Sequence, residues 1–109
     1  MKLTIDRNTW LRGETDESKL LRSSDNKMCC LGFLALALNA SKEEISDQST
    51  PGTACSVKWL DGMLKMGHES HISNDLMRVN DSPNLSASER EAKLSQLFSQ
   101  LGVEVEFIN

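Results

Sequence analysis

The chain has 109 residues, 39% of them hydrophobic and 26% charged, which is room for a single globular domain, 1–109, whose core buries about two thirds of the surface exposed by the unfolded chain. A net charge of −4 and a pI near 5.1 argue against direct nucleic-acid binding, which needs a basic face to displace counterions from phosphates. The longest apolar run, Met28 to Leu38, falls short of the roughly 20 residues that a bilayer-spanning helix requires.

Met1 to Asp6 brings in an acidic residue before any apolar stretch develops, unlike a secretory signal. Three cysteines without such a signal read as free thiols in a reducing compartment, because an odd number cannot pair completely. A cytoplasmic location is expected.

Lys2 to Ile5 forms a short strand with Leu3 and Ile5 on one face. Asp6 then suits the N-cap of a single helical turn through Trp10, which Gly13 ends. Glu14 to Lys19 reads as a surface loop, Leu20-Leu21-Arg22 as a short strand, and Ser23-Ser24-Asp25-Asn26 as a turn. The segment from about Met28 to Leu38 carries no charge on any face, so it is a helix wrapped by the rest of the fold. Cys29, Cys30, Gly32 and Phe33 belong to its structural core. Gly32 stands where alanine would favour the helix by about 1 kcal/mol, which implies close approach by another backbone.

Asn39 suits a left-handed helix C-cap. Ser41-Lys42-Glu43-Glu44 is a capping box that starts a short helix, and Gln48 to Thr53 is a loop. Cys55 to Met66 carries apolar residues at helical spacing, interrupted by Gly62, and Gly67 to Ser70 is a turn. Ile72, Leu76 and Val79 mark one face of a further helix, which Asn80 to Asn84 ends. Ser86-Ala87-Ser88-Glu89 is a second capping box, followed by a stripe of Leu94, Leu97, Phe98 and Leu101 and by Gly102 as the stop. Val103, Val105 and Phe107 alternate with Glu104, Glu106 and Ile108 as a strand with one buried face. The expected fold is α+β: a small antiparallel sheet of the N- and C-terminal strands, packed on several helices around the central apolar helix.

The residues allow more than one chemistry. A thiol at a helix N-terminus is stabilised as thiolate by the helix dipole, so Cys29 or Cys30 could serve a hydrolase with His68 or His71 as base and Asn80 or Asp81 as orienter. Against that, buried cysteines are usually inert parts of a core, and apolar neighbours raise a thiol pKa. A metal site from Cys29, Cys30, Cys55, His68 and His71 is weaker still, since adjacent cysteines lack the spacing with which two sulfurs reach one zinc. No metal, cofactor or catalytic residue is assigned. Trp10, Trp59 and Arg12 are residue types favoured at binding hot spots, and Asn80 and Asp81 are further candidates for partner contact. Core packing or turn formation would account for most of them without a ligand.

Cys29-Cys30-Leu31-Gly32 and Asn80-Asp81 together resemble the two marks of a widespread family of small uncharacterised proteins from bacteria and their phages. In that family a Cys-Cys-Leu-Gly box follows a short turn, and an Asn-Asp pair precedes the last helix. Trp10-Leu11-Arg12-Gly13, Leu20-Leu21, Ser88 to Ala92 and Val105 to Phe107 fit the same pattern, which therefore covers nearly the whole chain. Ala35-Leu36-Ala37 stands where many members carry a further cysteine, which argues against a shared metal site. The resemblance implies a phage or prophage accessory protein that binds and inhibits a host defence factor. Its sharpest form is an anti-CRISPR protein that blocks a Cas effector by surface complementarity, acting on a host protein with neither nucleic acid nor membrane as direct partner.

Overall fold

The computed structural model describes residues 2–13, 19–48 and 71–109, the side chains of 71–74 excepted. The expected helix over Cys55 to Met66, the Gly67 to Ser70 turn, most of the loops at 14–19 and 48–53, Trp59 and His68 lie outside the described residues, as do the side chains of His71 and Ile72. The described elements are β1 (Lys2–Asp6), α1 (Cys30–Ala37), α2 (Lys42–Ile45), α3 (His71–Asp81), α4 (Ala87–Ser99) and β2 (Glu104–Ile108). None of these helices is long and apolar enough to cross a membrane.

The two strands pair as the alternation requires, with Leu3 beside Val105 and Ile5 beside Phe107, but they run parallel. This corrects the antiparallel pairing expected from the sequence. The period of two fixes which side chains face inward. It carries no information on strand direction, which depends on the end of the sheet at which the long connection through all the helices returns. Leu3 and Ile5 are buried, while Lys2, Thr4, Glu104, Glu106 and Ile108 form the exposed face.

Helix α1 occupies the centre of the core. Cys30, Leu31, Gly32, Phe33, Leu34 and Ala35 are all buried, and β1, α2 and α3 pack around them. The helix is shorter than expected at its start, because Met28 and Cys29 are still extended chain. Met28 bridges Trp10, and the Cys29 amide donates to the Lys19 carbonyl at 3.1 Å. The Leu20-Leu21-Arg22 segment makes single bridges instead of a strand, Leu21 to Ser46 and Arg22 to Lys27. This segment explains Gly32: a Cβ there would overlap the Leu20 carbonyl oxygen, so only glycine lets the two backbones meet.

The helix ends follow the local chemistry. At the end of α1, Asn39 takes a φ of 74°, and its amide bonds to the Leu36 carbonyl at 3.0 Å while that of Ala40 bonds to Ala35 at 3.0 Å. This paired closure is a Schellman motif. Gly102, at a φ of 75°, does the same after α4, its amide donating to Ser99 and that of Val103 to Phe98. Both capping boxes form, Ser41 with Glu44 and Ser86 with Glu89, each hydroxyl and carboxylate accepting an otherwise open amide. Asp6 instead closes a turn, accepting the Asn8 amide at 2.9 Å.

Candidate functional site

The structure brings Trp10, Arg12, Asn80 and Asp81 to one junction, where the start of α1, the end of α3 and the segment after β1 meet. Asn80 lies at its centre, with no exposed surface. Its Oδ1 accepts the Trp10 indole N–H at 2.8 Å and the Cys30 backbone amide at 3.0 Å. Its Nδ2 donates to the Leu11 carbonyl at 2.9 Å and to Asp81 Oδ1 at 2.9 Å. Two acceptor sites and two donor hydrogens are thus all used, which is the full capacity of the amide group.

Helix α1 needs this bond. The side chain of its N-cap residue, Cys29, makes no capping bond, and no acid stands in its first turn. Asn80 supplies the acceptor from another helix, in the role that serine or aspartate usually plays locally. The Asn80 backbone carbonyl is occupied too, accepting the Gly13 amide at 2.8 Å and Arg90 Nη1 at 3.0 Å.

Arg90, 6% exposed, closes the other side of the junction. Its guanidinium donates to the carbonyls of Val79, Asn80, Ser82 and Leu85, which are the open acceptors at and beyond the end of α3. A cation there also meets the negative end of the helix dipole. Burial lowers the Arg90 pKa, as does the like charge of Arg12, and Asp81 works in the opposite direction. The sequence does hold a signal for both residues. Asn80 follows Leu76 by four positions, and Arg90 precedes Leu94 and Phe98 by four and eight, so each is a polar residue standing on an otherwise apolar helical stripe.

Trp10 is 3% exposed, so its indole edge faces Asn80 and not solvent. Its ring lies 5.2 Å from that of Phe107, and the Arg12 guanidinium sits 4.5 Å above it. Arg12 also donates to the Arg7 and Trp10 carbonyls at 3.1 and 3.3 Å, which fixes its direction. Beside it Arg7 makes a two-bond pair with Glu91, Nε to Oε2 at 2.8 Å and Nη2 to Oε1 at 2.7 Å. That pairing holds the Glu91 carboxyl below its ordinary pKa and raises Arg7. Arg12 and Asp81 are half-buried and reach solvent at the rim of the junction.

The thiols lie beneath it. Cys29 and Cys30 are 3% and 0% exposed, and the Cys30 thiol points at the Leu76 carbonyl, 3.8 Å away. Burial pushes the Cys29 thiol up to about 12, against a partial pull from the Gly32 and Leu31 amides. Burial and its neighbour Cys29 likewise push Cys30 well up. A nucleophile requires thiolate at neutral pH, and this environment disfavours it. Among the described residues no group of three or more His, Cys, Asp or Glu side chains converges as metal ligands would.

No protein-family model, no curated protein and no solved structure matches the chain.

Proposed function

We propose that the protein acts by docking: it is a phage- or prophage-encoded accessory protein that binds a host defence factor, a Cas effector in the sharpest case, and inhibits it by occupying a surface. The observation that supports this reading best is the Asn80 junction. Every polar group of that amide is spent on internal bonds, one of them to Asp81 at the rim, and the Arg7 and Trp10 carbonyls direct Arg12 beside it. A rigid, pre-organised rim loses little conformational entropy on association. The net charge of −4 favours a protein partner over a nucleic acid, and the raised thiol pKa values work against a cysteine nucleophile.

The test is phage plating on hosts with and without CRISPR immunity, combined with size-exclusion chromatography of the purified chain mixed with the Cas effector. Expression of the chain restores plating on the immune host, the two proteins co-elute, and Arg12→Glu removes both effects while leaving the fold intact. Unchanged plating together with separate elution contradicts the proposal.

A further inference from the structure

Strand β2 has one strand neighbour among the described residues, β1. The parallel register and the Arg7 amide donating to the Ile108 carbonyl at 2.9 Å set the phase of the ladder. In a parallel pair alternate residues turn both backbone polar groups to the same neighbour, so Glu104, Glu106 and Ile108 face β1. Val105 and Phe107 therefore aim their N–H and C=O groups at the opposite edge, a template for one more strand.

Two features beside that edge define what fits it. A groove of about 320 Å³ runs between β2 and α4, lined by Ser95, Ser99, Gly102, Val103, Glu104 and Val105. It lies on the inner side, where alternate side chains of an added strand would point, and it suits small apolar groups. On the outer side stand the exposed Glu104 and Glu106. The fold already shows how this acidic row engages a neighbouring strand: Lys2 of β1 pairs in register with Glu104, and its ammonium lies 3.6 Å from Glu106 Oε2.

We infer that the outer edge of β2 receives an extended segment of a protein partner, with lysine or arginine at alternate outward positions and small apolar residues between them. Backbone hydrogen bonds to Val105 and Phe107 supply the affinity, and the glutamate row selects for basic sequence. The inference rests on the docking reading and names a second surface for it. A second copy of this chain fits poorly, because antiparallel pairing about Val105 sets Glu104 against Glu106, and like charges directly opposed are destabilising.

The experiment titrates the ¹⁵N-labelled full chain with acetyl-Lys-Val-Lys-Val-Lys-Val-amide, with its Glu-for-Lys counterpart, and with a backbone N-methylated form of the basic peptide. The basic peptide shifts the Val105 and Phe107 amides and slows their hydrogen exchange. The acidic and N-methylated peptides do neither, and Glu104→Gln with Glu106→Gln weakens binding by about tenfold. Unmoved Val105 and Phe107 amides, equal binding of the acidic peptide, or binding unaffected by the double substitution overturns the inference. So does concentration-dependent dimerisation in which these same two amides shift without peptide. Failure here with Cas capture intact removes the edge assignment alone. Peptide binding at β2 without capture of any Cas effector removes the proposed target and leaves the edge assignment standing.

Discussion

The side-chain oxygen of Asn80 caps helix α1 from across the core, accepting the amide of Cys30, a residue 50 positions earlier, at 3.0 Å. The same oxygen holds the Trp10 indole, and the amide nitrogen holds Leu11. One residue therefore joins the segment after β1, the central helix and the end of α3. Asn80→Ala leaves two buried donors and one carbonyl without partners, each worth about 1–3 kcal/mol, and is expected to lower stability by about 3–5 kcal/mol in urea unfolding. Asn80→Asp keeps both acceptor roles, loses the donor to Leu11 and faces the Asp81 carboxylate, so it is strongly destabilising as well. A loss under about 1 kcal/mol for the alanine variant contradicts this assignment.

Gly32→Ala should destabilise despite the better helix propensity of alanine. The gain of about 1 kcal/mol is outweighed because the new methyl group overlaps the Leu20 carbonyl, a backbone atom held by its own neighbours. A net loss of about 2–4 kcal/mol is expected, as for other overpacked cores with a forced backbone shift. Thermal unfolding of the purified variant checks it, and an unchanged midpoint contradicts the close contact.

The Arg7–Glu91 pair sets part of the acid response. Glu91 has a lowered pKa when folded, with the Arg7 hydrogen bonds as the main cause. The unfolded chain therefore binds the proton more readily, so the contribution is present above the ordinary value of 4.5 and fades as the pH falls through the depressed folded pKa. Urea midpoints measured from pH 6 down to pH 3 should decline less steeply for Glu91→Gln than for the natural chain. Parallel acid limbs in the two proteins contradict a role for the pair.

The thiols predict the opposite limb. Cys29 titrates at about 12 in the fold against an ordinary value of 9.0. The unfolded chain loses this proton first, so stability falls as the pH rises from about 9 toward 12, by about 1.4 kcal/mol per pH unit for each such thiol. Cys29→Ala should remove one thiol's share of that slope. An unaltered alkaline slope in that variant places the thiol in contact with solvent.

What the sequence reveals and conceals follows the range of each interaction. Both capping boxes, the left-handed residues Asn39 and Gly102, and the close approach at Gly32 depend on neighbours a few positions apart or on one unusual residue in a helix, and they are readable directly. The direction of β2 is not, since its alternation is the same in a parallel or an antiparallel pair. Leu20 to Arg22 has strand composition but makes single bridges, because its carbonyls and amides are shared between Lys27 and the segment at 46–48. Asn80 and Arg90 are the instructive cases. Their type suggests a surface turn and a solvated charge, whereas their positions on the stripes of Leu76 and of Leu94 and Phe98 mark them as interior. Trp10 and Asn80 are brought together as partner-contact candidates, yet their polar atoms satisfy one another inside the fold.

The burial of Cys29 and Cys30 makes both thiols interior supports of the fold. It is tested most directly by alkylating a Cys55→Ser variant with iodoacetamide at pH 7.5, in buffer and across a urea series, with the labelled positions read by mass spectrometry. Both thiols are expected to stay unlabelled in buffer for hours and to react only at the rate of global unfolding. Rapid labelling of either thiol in the native protein contradicts it.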